Sequence, residues 1–153
     1  MPAYTTLPDT GMDKEEVVTL LKSLRDCEVQ YKAEKAFGGI YARDEDTDHV
    51  ISQAYHIFHD SNGLFTGIFP ALRKMENEVV KMTMNLLHAP QGAVGVITTG
   101  GSESILMAMK AARDRFRATH PHITEPEVIM CQTAHAAFFK GAAYFDIKVV
   151  LLE

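Results

Sequence analysis

Apolar positions recur at helical spacing through the first 90 residues of the chain, and the first such pattern starts near the N-terminus. Asp13 followed by Glu16 resembles a capping box, in which two side chains satisfy free N–H groups at the start of a helix. The apolar positions that follow predict a helix over Asp13–Ala36. The pair Gly38-Gly39 predicts its end.

Two further helices are predicted before Pro90, where the pattern of apolar positions changes. The apolar stripe Val50–Phe58 follows an acidic loop in which Thr47 is the predicted cap, and Asn62-Gly63 is its predicted end. A third helix is predicted to begin at Pro70, a residue that suits the first helical position. It is predicted to stop at His88-Ala89-Pro90.

Beyond Pro90 the pattern changes to alternating strands and helices. The predicted elements are strand Val94–Thr98, helix Ser102–His120, strand Val128–Cys131, helix Thr133–Phe145 and strand Ile147–Leu152. Strands joined by single helices favour right-handed crossovers and a mainly parallel sheet. The predicted fold class is therefore α/β: an N-terminal helical segment over residues 1–90, followed over residues 91–153 by the start of a parallel sheet.

Sheets average about 5 to 6 strands, so three strands make a small one. A parallel sheet also needs cover on both of its faces. The last predicted strand also runs to the end of the chain. We therefore expect the chain to be the first part of a larger protein. The alternative is a small complete α/β domain in which the N-terminal helices cover the remaining face.

Composition excludes several classes of protein. The chain has 153 residues, 46% of them hydrophobic, and its formal net charge is −5. An acidic balance argues against a nucleic-acid partner. No apolar run is long enough for a transmembrane segment, and the N-terminus does not resemble a signal peptide. Cys27 and Cys131 lack metal-ligand spacing and favour a reducing, cytoplasmic compartment.

The run Thr98–Ser104 contains the most informative turn in the sequence. Gly100 and Gly101 join a predicted strand to a predicted helix, and adjacent glycines let a ligand approach the backbone closely. The N–H groups of the following helix, together with the Ser102 hydroxyl, then form an outline of a phosphate site. The run is neither a Walker loop nor a dinucleotide fingerprint. Ordinary turn chemistry is the alternative interpretation.

A second turn, Gln132–Phe138, also joins a predicted strand to a predicted helix, and it contains His135. In open α/β sheets, ligands bind outside the C-terminal ends of the strands, where both turns lie. His135 can donate, accept or stack there, or it can be a structural histidine satisfied by the helix end. Together the two turns favour a phosphorylated ligand with a flat ring.

These turns closely resemble the corresponding segments of sphingosine-1-phosphate lyases, which are fold-type I relatives of the pyridoxal-phosphate-dependent group II decarboxylases. The resemblance rests on Thr98–Ala108, Thr133–Phe138 and Ala142–Phe145, and it extends back through Gly38–Tyr41, Asn62–Leu64 and Phe69–Glu76. Gly-Gly-Ser-Glu-Ser is common to decarboxylase relatives. The runs beginning at His135 and Phe69 point more narrowly to the lyases.

The resemblance implies a role for several residues. Gly101 and Ser102 would hold the phosphate of pyridoxal 5'-phosphate, and His135 would stack on its pyridine ring. Tyr41 and Asn62 would contribute to the pocket for a phosphorylated lipid in a homodimer. The reaction implied is cleavage of a sphingoid base phosphate into a long-chain aldehyde and phosphoethanolamine.

Two departures from the lyase pattern stand out. The lysine that carries the cofactor in this family follows a histidine, and no lysine of this chain does, so no catalytic residue is assigned. The chain alone is therefore predicted to be inactive. Animal-type lyases also have a histidine where this chain has Phe65, and that histidine would contact the substrate phosphate. His59, or else His56, is the predicted substitute, and the alternative is that this pair, three residues apart, lies on a solvated helix surface.

Two other functions remain open at this stage. An amino-acid decarboxylase of the same superfamily would share the phosphate turn and bind a small carboxylate. A non-catalytic α/β binding or assembly module would need no cofactor. The pair His120 and His122 has no further ligand at metal spacing, so no metal site is predicted.

Overall fold

The computed structural model describes residues 5–29, 38–41 and 43–152, which fall into two compact units, Met1–Asp60 and Ser61–Glu153. In the described part of the first unit lie helices α1 (Lys14–Asp26) and α2 (Glu45–Phe58). In the second unit lie α3 (Pro70–Leu86), α4 (Gly101–Thr119), β1 (Glu127–Cys131), α5 (Ala136–Tyr144) and β2 (Lys148–Leu152). The predicted division into a helical segment, residues 1–90, and the start of a larger domain, residues 91–153, stays a prediction.

Helix α1 starts where the sequence predicts but ends earlier. The Asp13 carboxylate caps it by accepting a hydrogen bond from the Glu15 N–H at 2.9 Å. At the other end the Cys27 N–H donates to the Leu24 carbonyl at 3.1 Å, a tight bond between residues three apart that closes the last turn. The prediction of a helix continuing to Ala36 is therefore wrong at residues 27–29, and residues 30–36 lie outside the described residues.

Helix α2 is capped by Asp44, so the prediction that Thr47 is its cap is wrong. The Asp44 carboxylate accepts hydrogen bonds from the Thr47 N–H at 2.7 Å and the Thr47 hydroxyl at 2.8 Å. These bonds hold the pKa of Asp44 below its ordinary value. A carboxylate is the better cap because it adds a negative charge at the positive end of the helix. The helix ends at Phe58, before Asn62-Gly63.

Helix α3 begins at Pro70, as predicted, and its end follows from backbone geometry. His88 adopts a left-handed conformation with φ of 51°, and the Ala89 N–H turns back to the Met84 carbonyl at 2.9 Å. This is the bonding of a left-handed helix end, and Pro90 then cannot continue the helix. The predicted stop at His88-Ala89-Pro90 is confirmed.

The parallel part of the predicted fold is present in β1 and β2. These strands pair in parallel from Glu127 opposite Lys148 to Cys131 opposite Leu152, with α5 as their crossover. The prediction of a strand over Val94–Thr98 is wrong: among the described residues this segment has no pairing partner. Its β-branched composition fits a strand, but a strand also needs a neighbour for its hydrogen bonds.

The buried apolar residues of the second unit lie where α4 packs against α5. Met109 on α4 and Ala137 and Ala142 on α5 are the buried hydrophobic residues among those described. None of the described helices is both long and apolar enough to cross a membrane. The principal packing of this unit is therefore a helix pair laid beside a short parallel sheet.

Candidate functional site

The turn before α4 is held in shape by its own side chains. The hydroxyls of Thr98 and Ser104 lie 2.5 Å apart, so one donates to the other, and both lie near the Gly100 carbonyl, at 3.1 and 3.3 Å, where the second hydroxyl donates. The Glu103 carboxylate accepts from both the N–H and the hydroxyl of Thr99, at 2.7 and 2.6 Å. The turn is thus fixed from both sides before any ligand arrives.

The N-terminus of α4 leaves room for an anion. A Cβ atom built at Gly100 or Gly101 would meet no heavy atom within 4 Å. No side chain caps the helix at Gly100, and the first N–H groups of a helix have no partner inside it. The dipole of a long helix adds a positive potential at the same place. Exposed Ser102 adds a hydroxyl, so the residues present fit a phosphate group.

His135 caps the start of α5. Its Nδ1 accepts a hydrogen bond from the Ala137 N–H at 3.1 Å, so in a neutral ring the proton is on Nε2. The sequence predicts that this helix begins at Thr133, but the Thr133 hydroxyl lies 3.4 Å from the Cys131 sulfur and the helix begins at Ala136. The contact with Thr133 lowers the pKa of the Cys131 thiol. The hydrogen bond from Ala137 holds one edge of the imidazole. His135 remains exposed, and a ring must be exposed to stack on a ligand.

Packing between α4 and α5 brings these two helix starts to the same end of the second unit. Gly141 of α5 contacts Met109 of α4, and four residues further along both helices the Arg113 side chain donates to the Phe145 carbonyl at 3.1 Å. Because the contacts follow the same order in both helices, α4 and α5 run in the same direction. Gly101 lies about 12 Å before Met109 along α4, and His135 about 9 Å before Gly141 along α5.

An open groove of about 450 Å³ adjoins the turn before α4. The apolar side chains of Leu72, Met75 and Val79 on α3 line it together with Ile97, and Thr99 and Glu103 are among its polar residues. The turn that fits a phosphate therefore borders a mainly apolar surface.

The predicted substrate residues belong to different units. Tyr41, 89% exposed, and His59 lie in the first unit, whereas Asn62 lies in the second. The Asn62 side-chain oxygen accepts from the Leu64 N–H at 2.8 Å, which leaves its amide hydrogens to donate elsewhere. The His59 Nδ1 lies 2.9 Å from the His56 carbonyl and therefore donates to it. His59 then needs a second proton, on Nε2, before it can donate to an anion.

Sequence reasoning missed the residues that hold the site in place. Thr99 and Glu103 act like a capping box but stand one residue further apart than the usual spacing, so the capping-box pattern does not identify them. Arg113 belongs to a charged run, with Asp114, Arg115 and Arg117, that is typical of a solvated helix face, but its side chain is only 15% exposed. Its long-range contact with Phe145 leaves no local sequence signal.

Comparison with known proteins identifies the class to which this fold and site belong. The model of the pyridoxal-dependent decarboxylase conserved domain matches residues 29–153. The chain therefore belongs to the pyridoxal-dependent decarboxylase family. This family depends on pyridoxal phosphate, the cofactor that the resemblance implied.

Individual relatives show which enzymes of this family the chain is similar to. The chain is 42% identical over 145 residues to sphingosine-1-phosphate lyase 1 of Rattus norvegicus, covering 95% of this chain and 25% of the relative. It is 38% identical over 153 residues to the sphingosine-1-phosphate lyase of Saccharomyces cerevisiae, covering 98% of this chain and 26% of the relative. The chain thus spans about a quarter of the length of these curated relatives.

A solved structure supports the fold assignment. The sphingosine-1-phosphate lyase of Burkholderia pseudomallei superposes with a TM-score of 0.79 at 31% identity, over 97% of this chain and 36% of that chain. The predicted fold class, a helical segment followed by the first part of a fold-type I parallel sheet, is confirmed. The resemblance to the lyases is confirmed as well.

Glu103 gives the turn a pH dependence that can be measured. The two hydrogen bonds from Thr99 hold the pKa of Glu103 below its ordinary value of 4.5. Their stabilisation is therefore fully present above pH 4.5 and is lost as the pH falls through the lowered pKa. We expect side-chain NMR titration to give a pKa below 4.5 for Glu103, and Thr99→Val, which removes one donor, to raise it. Thr119→Val, at the far end of α4, is the control; equal pKa values in all three proteins would contradict this account of the turn.

Proposed function

We propose that this chain forms the cofactor-phosphate part of a lyase that cleaves phosphorylated sphingoid bases into a long-chain aldehyde and phosphoethanolamine. The observation that carries the proposal is the pair of helix starts, one fit for a phosphate and one presenting a flat ring, at the same end of α4 and α5. The names of the rat, yeast and Burkholderia relatives support the choice of substrate.

The first proposed role is to bind the phosphate of pyridoxal phosphate. The N–H groups at Gly101 and Ser102 and the Ser102 hydroxyl would surround the phosphate oxygens at the open end of α4. The Glu103 carboxylate, which would repel an anion, is held by Thr99 through two hydrogen bonds. The site would therefore rely on backbone dipoles and a hydroxyl, which keep the phosphate in place without a basic side chain.

The second proposed role is to orient the cofactor ring. His135 would place its imidazole face against the pyridine, and the hydrogen bond from Ala137 would restrict rotation of the imidazole. Its Nε2–H would remain available to donate to the substrate or the cofactor. When bound, pyridoxal phosphate supplies an electron-withdrawing ring that makes cleavage of the substrate's carbon–carbon bond feasible.

Substrate contacts form the third part of the proposal. Asn62 would donate its free amide hydrogens to the substrate, Tyr41 would offer an exposed ring and hydroxyl, and protonated His59 would contact the substrate phosphate. The apolar groove beside the phosphate turn, lined by Leu72, Met75 and Val79, supports a substrate with a hydrocarbon part. The cofactor-bearing lysine would lie outside this chain, since none of its lysines follows a histidine.

We further propose that the complete protein is a cytoplasmic homodimer. The exposed free thiols of Cys27 and Cys131 support a reducing compartment. Exposed apolar side chains on β2, such as Leu151 at 47% and Leu152 at 57%, support burial against further polypeptide. Sedimentation of the complete native protein tests the dimer, and a monomer at micromolar concentration would contradict it.

The reaction can be tested with the complete native protein loaded with pyridoxal phosphate. Supplied with a sphingoid base phosphate, it should release a long-chain aldehyde and phosphoethanolamine in equal amounts. Supplied with aspartate or glutamate, it should release no carbon dioxide above background. Carbon dioxide release without aldehyde would instead assign the chain to the amino-acid decarboxylases of the family.

Replacing Ser102 tests the phosphate assignment. Ser102→Ala should weaken pyridoxal phosphate binding by roughly 10- to 100-fold, because a hydrogen bond to a charged group contributes about 1.5 to 3 kcal/mol. Turnover at saturating cofactor should change less. Thr119→Ala, about 25 Å further along α4, is the matched control and should leave affinity unchanged. Equal affinity of Ser102→Ala and the parent would remove Ser102 from the phosphate site.

Three substitutions of His135 separate its stacking role from its capping role. Phenylalanine keeps a ring but loses the cap, asparagine keeps a cap but loses the ring, and alanine loses both. If His135 stacks on the cofactor, His135→Phe should retain more cofactor affinity than His135→Asn or His135→Ala. Thermal stability should follow the other order, with His135→Asn highest of the three.

Turnover adds a further distinction among these variants. If the Nε2–H donates during the reaction, His135→Phe should bind the cofactor and still turn over slowly. Cofactor affinity that follows thermal stability, with His135→Asn binding best, would identify His135 as a purely structural cap.

A further inference from the structure

Gly141 lies where α5 packs against side chains of α4. It is buried, and a Cβ atom built on it would lie 2.6 Å from the sulfur of Met109 and 3.3 Å from Leu106 Cδ2. Carbon and sulfur atoms in contact need more than 3.5 Å. A side chain at position 141 would first displace the end of the flexible Met109 side chain. Because Met109 is itself only 8% exposed, it has little room to move, and the rest of the strain would press α5 away from α4.

A second contact fixes how the two helices are aligned along their length. The Arg113 guanidinium donates to the Phe145 carbonyl at 3.1 Å, and its carbon lies 5.2 Å above the centre of the Phe145 ring. Asp114 also binds this guanidinium, at 2.6 Å, and so holds it in place. Sliding of α5 along α4 would break the bond to Phe145. Gly141 thus sets the separation of the helices and Arg113 sets their register.

We propose that Gly141 is a positioning residue for the cofactor. By allowing close packing of α5 on α4, it sets the distance between the N–H groups at Ser102 and the ring of His135. This inference rests on the proposed function, because it concerns how one ligand reaches both helix starts.

Any movement of α5 that a larger residue forces at position 141 would also move the start of that helix. His135 lies about 9 Å from Gly141 along one continuous helix. A helix of this length moves as a nearly rigid body, so a shift at Gly141 would also displace the His135 ring. A phosphate held at Ser102 and a pyridine stacked on His135 could then no longer both be accommodated in their best geometry. Misplacement on the order of 1 Å is enough to change ligand contacts strongly.

A double-mutant cycle in the complete native protein tests the inference. Gly141→Ala should weaken pyridoxal phosphate binding by at least about threefold and change the visible circular dichroism of the bound cofactor, which reports its orientation. Met109→Ala alone should change affinity by less than about twofold. The double variant should recover both affinity and spectrum, because removing the Met109 side chain makes room for the new methyl group. Ala143→Ser, on an exposed position of α5, is the control and should behave like the parent.

A second pair of variants keeps the test decisive if the Met109 variants fold poorly. Arg113→Met should shift the cofactor spectrum in the same sense as Gly141→Ala, and Arg113→Lys, which keeps a donor for the Phe145 carbonyl, should restore part of it. An unchanged spectrum and affinity in both Gly141→Ala and Arg113→Met, together with lower melting temperatures, would overturn the inference and leave these residues with packing roles only.

The outcomes also separate this inference from the proposed function. If the parent protein binds pyridoxal phosphate but releases no aldehyde, the substrate assignment is wrong, and the comparison of variants still decides the role of Gly141. If the parent protein binds no pyridoxal phosphate, both the cofactor assignment and the positioning role are wrong.

Discussion

The packing of α4 against α5 is the constraint on which the site depends. Gly141 lets the helices approach, and Arg113 holds the C-terminal end of α5 through the Phe145 carbonyl. Since both contacts follow the same order in the two helices, the helices run in the same direction. Their N-termini, with Ser102 and His135, are therefore at one end. With antiparallel helices, the phosphate-fitting turn and the imidazole would lie at opposite ends of the unit.

The electrostatics of the site follow from local geometry and not from the overall charge. The chain carries a net charge of −5, yet the turn at Gly100 and Gly101 fits an anion. Charges further away than the Debye length, about 8 Å at physiological ionic strength, are largely screened, whereas N–H groups in direct contact are not. The nearby Glu103 carboxylate is already occupied by Thr99. This arrangement explains how an acidic chain can offer a phosphate site without a cluster of lysines and arginines.

Local patterns predicted the features that depend on neighbours in sequence. Pro70 as the start of α3, His88-Ala89-Pro90 as its end and the parallel pairing of β1 with β2 were all predicted correctly. The failures involve competition between nearby groups or partners distant in the chain. Asp44 replaced Thr47 as a cap because two oxygens of one carboxylate satisfy two donors. Val94–Thr98 failed as a strand because composition carries no information about pairing.

The site itself could be predicted only in part. Its glycines, Ser102 and His135 stand out in the sequence because turn chemistry is local and because the runs resemble a known family. The residues that hold them in register do not stand out. Arg113 reaches Phe145 across 32 positions of sequence, and Gly141 resembles any small residue in an alanine-rich helix. Such contacts arise from tertiary packing, which periodicity does not encode.

The most direct test of the shared site is amide NMR of the protein labelled at serine and alanine and titrated with pyridoxal phosphate. The N–H of Ser102 reports on the start of α4, and the N–H of Ala137, which donates to His135, reports on the start of α5. If one ligand contacts both helix starts, the two signals should shift together with a single dissociation constant, and inorganic phosphate should shift Ser102 alone. Signals that titrate with different constants, or a response from only one of them, would contradict a common site.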